Sequence, residues 1–329
     1  MKRRDFLTGA AAGAAAIAGA SIRGRAQGGP PPGAPPAPGP GRGYSPIGQP
    51  GTPANVPARK LARVSLMQLN FNSVLKPGNP TATPTPLQTL TIFDLPKVYV
   101  ESYGIHNIEF QLDRIVQSET DPSFIKQLKA TLDEYKMTMT QVNLEIGAAQ
   151  GMTADASGRR TGLDRIKKWV DIANQYGCKR LMLNQNQNAL LKERRADAVA
   201  YMKEAADAGR PSGVMISVET RGMTSPELQA NLGMKAWEFM LGIIKDAGAN
   251  SNVDIGNVGA MNQQELHDCI KAWFPSSSGN MHIKSSPYWD VGRAVAFTES
   301  LGYKGNYAIE VGAYAGQRMV YNTILANIA

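Results

Sequence analysis

Between Lys60 and Ala329 one pattern recurs eight times: a short apolar run of strand character, a turn, then a stretch with apolar residues three or four apart. The runs are LARVSLMQLNF, GIHNIEFQ, MTMTQVNLEIG, KRLMLNQNQ, GVMISVE, NVDIGN, GNMHIKS and GNYAIEV. Between them the spacing predicts helices. Phe124, Leu128 and Leu132 line one face, and Leu163, Ile166, Val170 and Ala173 form a stripe that stops at Gly177. Further helices are predicted near 90–102, 192–208, 234–247, 263–273 and 291–301, with a last one closing the chain. Eight strands alternating with eight helices over residues 60–329 match the order and length of a (β/α)8 TIM barrel, here a single α/β domain. An open doubly wound sheet is the rival. It would carry a phosphate-cradling glycine fingerprint after the first strand, and that fingerprint is missing.

The formal charge of +8 suggests an anionic partner until its distribution is read. Residues 1–26 carry Lys2, Arg3, Arg4, Arg23 and Arg25 against Asp5, a net +4, and residues 27–59 add Arg42 and Arg59. The barrel keeps only the remaining +2, which argues against a nucleic-acid surface. MKRRDFL sets twin arginines before Phe6–Leu7, and an Ala/Gly-rich stretch follows from Ala10 to Ala20, too short and weakly apolar for a permanent membrane span. The order resembles a bacterial twin-arginine (Tat) export signal, which implies the Tat machinery as a partner and a periplasmic or otherwise exported product. Residues 27–59, dominated by Pro and Gly, read as a disordered tether, with folding expected to begin near Lys60. Two cysteines, Cys178 and Cys269, are too few for a disulfide framework and read as buried small side chains.

In such barrels the reactive groups sit at the carboxyl ends of the strands. Strand five ends at Glu219, strand six at Asp254, strand seven delivers His282 and strand eight ends at Glu310. Each is about one strand–helix unit from the next. Singly, each has an ordinary structural explanation: Asp254 as a turn aspartate, His282 as a core histidine, and Glu219 and Glu310 as ion-pair arms of Arg221 or Arg318. Jointly those explanations need four coincidences. Three converging carboxylates also repel one another, a conflict that one divalent cation resolves. The hard, oxygen-rich set suits Mn2+, Mg2+ or Co2+, with Zn2+ admitted through the imidazole.

The order Glu, Asp, His, Glu on strands five to eight resembles the sugar phosphate isomerase/epimerase-like (xylose isomerase-like) TIM-barrel superfamily. LMQLNF, YGIHNIEF and the Asp-x-Gly-Asn of strand six are similar to that family's openings. In its ketose 3-epimerases the matching positions bind one metal and the two glutamates also move the proton. The resemblance thus implies a metal set of Glu219, Asp254, His282 and Glu310, with Glu219 and Glu310 catalytic. There are departures. Asn257 stands where the epimerases have a histidine, and Lys284 is followed by Ser285 where the family often has Asp. The endonuclease branch needs more histidines than His106, His267 and His282.

Proton transfer next to a carbonyl needs a polarising cation, a base and an acid. The expected activity is therefore an exported, metal-dependent isomerase or epimerase on an unphosphorylated sugar or keto-sugar. A metal-dependent lyase or hydrolase on oxidised (keto) glycosides and a non-catalytic carbohydrate-binding barrel are the alternatives. Glu109, Glu145, Asn257, Lys284 and Trp289 are the candidate substrate contacts; Tyr288 beside Trp289 could also stack on a sugar face.

Overall fold

A computed structural model describes residues 56–78, 82–147, 149–152, 154–184, 192–220, 230–311 and 314–329. The expected export signal, most of the tether, Arg221 and the end of the fourth apolar run lie outside them. Eight parallel strands close in sequence order into one barrel. They are β1 (Val64–Met67), β2 (Asn107–Gln111), β3 (Thr138–Leu144), β4 (Arg180–Leu183), β5 (Met215–Glu219), β6 (Asn250–Asp254), β7 (Ser277–Ile283) and β8 (Asn306–Ile309). Helices α1 (Leu95–Tyr103), α2 (Pro122–Glu134), α3 (Ala156–Tyr176), α4 (Arg195–Gly209), α5 (Ala236–Ala247), α6 (Gln263–Trp273), α7 (Val291–Ser300) and α8 (Tyr314–Asn327) follow β1 to β8 in turn. The TIM barrel read from the sequence is the fold observed. Among the described residues no helix is long and apolar enough to cross a membrane.

Local chemistry sets the ends. Asp121, Asp155, Asn262 and Asp290 cap α2, α3, α6 and α7 by accepting backbone N–H groups of the first turn. Gly177 closes α3 at φ 74°, a left-handed position that costs glycine little. Two boundaries differ from expectation. The first helix begins at Leu95 rather than near Leu90, because Pro96 lacks the N–H an interior position needs and is tolerated only in the first turn. The first strand stops at Met67, and Gln68–Phe71 turns as a 3-10 helix. From that turn the Asn70 side chain continues the ladder: it donates to Ile309 O at 2.7 Å and accepts from Val311 N at 2.8 Å. The fold starts slightly before Lys60, with a helical turn at Ala58–Leu61.

Alternation along the strands divides the core. Outward-facing Leu66, Ile108, Phe110, Val142, Leu181, Ile216 and Met281 pack under the helices. The interior of the barrel is polar where branched apolar residues are usual. It holds Ser65, Glu109, Gln141, Asn143, Asn252, Asn280 and His282, all at most 1% exposed. Buried polar groups on this scale require internal partners, and a network of side-chain amides supplies most of them. Cys178 and Cys269 are buried and unpaired, as expected.

Candidate metal centre

Glu219 ends β5, Asp254 ends β6, His282 lies one residue before the end of β7, and Glu310 directly follows β8. In the ladder Glu219 pairs with Asn252, Asp254 with His282, and His282 with Ala308. Asp254 and His282 are thus directly opposite, while Glu219 and Glu310 are each displaced by two residues in register, a stagger that strand tilt brings to a common height. One ligand atom from each lies within 4.8 Å of all the others. The backbone is pinned on both sides of the centre. Asn70 brackets Glu310 through Ile309 O and Val311 N, and Thr220 Oγ1 accepts from Asp254 N at 2.7 Å.

His282 Nδ1 stands 2.6 Å from Glu310 Oε2, 3.5 Å from Glu219 Oε1 and 3.7 Å from Asp254 Oδ2. Nδ1 and Glu310 Oε2 are both buried atoms without a hydrogen bond. His282 Nδ1, Glu219, Asp254 and Glu310 converge on one point, and a cation among them would satisfy atoms that folded proteins rarely leave without a well-formed bond. Three converging carboxylates repel one another, a conflict that one divalent ion relieves. The residues present can therefore hold a metal ion. Its donors, three carboxylates and one imidazole, suit Mg2+, Mn2+, Co2+ or Zn2+.

Asp254 combines both roles the sequence offers. Its Oδ1 accepts from Gly256 N at 2.8 Å and Asn257 N at 3.0 Å, an Asx turn. Its Oδ2 faces the other three side chains and accepts from Asn257 Nδ2 and Lys284 Nζ, both at 2.8 Å. Burial pushes this carboxyl up to about 6 against the pull of Lys284. Lys284 Nζ donates to Asp254 Oδ2 at 2.8 Å and to Glu310 Oε1 at 3.0 Å, and the two anions raise its pKa despite burial. Burial disfavours the Glu310 anion, yet Lys284 and His282 outweigh it and hold that carboxyl below its usual range. Burial likewise works against charge on His282, but Glu109 and Glu310 carry its pKa well above the ordinary value.

The expected substrate contacts separate. Glu145 stands exposed at the rim, where it accepts from Gln111 at 3.4 Å and Asn184 at 3.1 Å. Lys284 keeps 21% of its side chain exposed beside the ligands. Three others have protein partners of their own. Glu109 is fully buried inside the barrel below the centre, bonded to His282 Nε2 at 2.7 Å. The Asn257 amide donates to Glu219 Oε1 at 3.0 Å and Asp254 Oδ2 at 2.8 Å, so it orders the ligands. Trp289, 8% exposed, packs in the apolar core; the aromatic left open on its loop is Tyr288. The ion pair of Glu310 is with Lys284, while Arg318 stacks on Tyr103 and donates to Ser102 O. The sequence signal for the amides that were missed was their period: Gln141-x-Asn143-x-Glu145 and Asn252-x-Asp254 place polar groups on one strand face.

Gly256 has a reason other than turn geometry, since its φ lies outside the left-handed region. A Cβ there would meet Lys284 Cδ at 2.7 Å and Lys284 Cβ at 2.8 Å. The second contact is close to the backbone, where the lysine stem cannot swing away. Gly256→Ala should therefore destabilise the protein by about 1–3 kcal/mol in urea unfolding and dislodge Lys284 from Asp254 and Glu310. Unchanged stability would show that the strand yields.

The fold is a closed TIM barrel whose mouth gathers four side chains that could hold a metal ion. The chain belongs to the xylose isomerase-like TIM barrel family, whose profile matches residues 99–305. No curated protein matches it significantly. Among solved structures it is similar to a xylose isomerase-like TIM barrel protein of Mycobacterium smegmatis in complex with magnesium, at 14% identity and TM-score 0.56, covering 87% of this chain and all of that one. It is also similar to an L-ribulose 3-epimerase, at 13% identity and TM-score 0.56, covering 76% and 81%. A third is the probable 3-DHS dehydratase of Bacillus anthracis, at 11% identity and TM-score 0.56, covering 80% and 97%. At these identities the likeness is one of fold.

Proposed function

We propose that the protein is an exported isomerase or epimerase that binds one divalent cation at Glu219, Asp254, His282 and Glu310. Its substrate is an unphosphorylated sugar or keto-sugar, and the reaction is proton transfer next to the carbonyl. The observation that carries the reading is the convergence of the four ligand atoms on an orphaned His282 Nδ1. A bound divalent ion supplies polarisation of the carbonyl oxygen and so acidifies the neighbouring C–H.

The rest falls to the chain's own side chains. Glu310, kept ionised by Lys284 and the most exposed of the four ligands at 12%, takes the proton. Glu219, contributed by the strand at the other end of the set and held by Asn257, returns one. The opposite rim offers Asn72, Gln111 and Asn184, half-buried amides that suit hydroxyl groups. Lys284 pairs with Asp254 and Glu310, and those bonds make it a poor phosphate cradle. The twin-arginine start supports export, which cell fractionation of the full chain tests. The same proton abstraction with a leaving group on the next carbon would make the enzyme a lyase, and product analysis separates the two.

Elemental analysis of purified protein should find about one divalent ion per chain, and keto-sugars should gain solvent deuterium at one carbon when it is bound. Protein without the ion and without exchange would refute the reading. Metal uptake should also depend on pH with a definite sign. A proton on His282 competes with the ion for Nδ1, and that proton is held well above the usual imidazole range. Apparent Mn2+ affinity should therefore weaken by about tenfold for each unit the pH falls below that pKa, with proton release on binding. Calorimetry in buffers of different ionisation enthalpy reads both; an affinity flat with pH would contradict this ligand set.

A further inference from the structure

We infer that Glu109 is a positioning residue, a carboxylate sealed beneath the centre that holds the His282 ring with Nδ1 turned to the cation. This rests on the metal reading above and goes beyond it, because Glu109 belongs neither to the ligand set nor to the substrate rim.

Glu109 sits mid-strand on β2 with no exposed surface. Its Oε1 accepts from Asn143 Nδ2 at 2.6 Å and Gln141 Nε2 at 3.1 Å, and its Oε2 accepts from Asn280 Nδ2 at 3.0 Å. The orientation of two of these amides is fixed by what their own oxygens do. Asn143 Oδ1 accepts from Gln141, and Asn280 Oδ1 accepts from Asn306. Both oxygens of Glu109 therefore face N–H groups, and a proton on either would oppose a donor.

The fourth neighbour is His282 Nε2, 2.7 Å from Oε1. Facing an acceptor-only carboxylate, Nε2 must carry its hydrogen. A contact to Gln141 Nε2 at 3.3 Å would need Nε2 as acceptor, but it is longer, and the same amide nitrogen also serves Glu109 and Asn143. With Nε2 protonated, the neutral ring presents a lone pair at Nδ1, the buried atom that has no hydrogen bond of its own. A carboxylate behind a ligand imidazole fixes the tautomer, locks the ring plane and strengthens the nitrogen as a donor to the metal. The amides from β3 and β7 hold Glu109 in turn, so the polar barrel interior serves as the foundation of the centre.

The test combines Mn2+ calorimetry on metal-stripped protein with histidine nitrogen-15 spectra of the Zn2+-loaded protein. The chain has only three histidines, so the ring of His282 is resolvable. In the wild type that ring should carry its proton on Nε2 and none on Nδ1. E109Q, which keeps an acceptor but not the charge, should bind Mn2+ about tenfold more weakly, and E109L about 100-fold. A purely structural role would lower the thermal midpoint and leave Mn2+ affinity unmoved. Folded variants that bind Mn2+ like the wild type overturn this inference alone. Failure of the wild type to bind any divalent ion overturns the metal reading, and the inference with it. If E109L does not fold, the wild-type ring decides, since a proton on Nδ1 in the loaded protein also refutes the inference.

Discussion

Glu310→Gln should lower deuterium exchange at the substrate carbon by about 1000-fold when metal is saturating. Glutamine keeps the size of the side chain and its place after β8, where Asn70 holds the flanking backbone. It removes the anion that Lys284 keeps ionised, and with it the proton acceptor. Two losses must be told apart, since Glu310 is also a ligand. Weakened metal binding is compensated by excess Mn2+, whereas a missing base is not. The informative quantity is the residual rate at saturation. Full recovery of exchange there would make Glu310 a ligand only and move proton abstraction elsewhere, with Glu219 the next group to replace. Glu219→Gln is a useful contrast, because Glu219 is 2% exposed and held by Asn257. If Glu219 only returns the proton, its loss should slow product formation more than exchange.

The eightfold repeat made the barrel legible, because parallel strands under helices must alternate with amphipathic segments in chain order. The convergence of Glu219, Asp254, His282 and Glu310 was legible for the same reason: strand ends in a barrel share one mouth. Neighbouring residues were harder to place, and for different reasons. Glu109 obeys the alternation that put it inside, but alternation says nothing of depth, and mid-strand on β2 it lies below the mouth. Asn257 follows Asp254 by three residues, and only the Asx turn folds its amide back onto two carboxylates. Trp289 sits in a loop after β7, where sequence does not distinguish an open ring from a buried one. The work of Asn70 depends on Ile309, 239 residues away, and no local pattern encodes it. What sequence reports well is periodic; what it hides is contact between units remote in the chain.

The closing seam of the barrel should lose stability when its bidentate ion pair is broken. β1 meets β8 through Val64 opposite Tyr307, and the residue before β1, Arg63, fastens that seam from below. Arg63 forks onto Glu299 at 2.7 and 2.8 Å and also donates to Tyr303 O and Gly305 O. Glu299 on α7 further accepts from Tyr307 OH at 2.6 Å and Ala329 N at 3.1 Å. The entry to the first strand, the last strand, α7 and the final residue Ala329 thus share one bidentate pair, with side chains only 16% and 11% exposed. Arg63→Met keeps the apolar stem near the rings of Tyr303 and Tyr307 and removes the charge. It should cost about 2 kcal/mol in urea unfolding, less than a fully dry pair because some solvent reaches it. The pH dependence supplies a second check. Burial raises the Glu299 carboxyl, but the bonds from Arg63 and Tyr307 outweigh it and hold its folded pKa below the ordinary glutamate value. Its contribution is therefore complete above about pH 4.3 and is lost as pH falls through the lower, folded value. The gap between wild type and Arg63→Met should be widest near neutrality and close on acidification through that window. A gap constant with pH would mean that Arg63 acts by packing, and that its charge adds nothing to the seam.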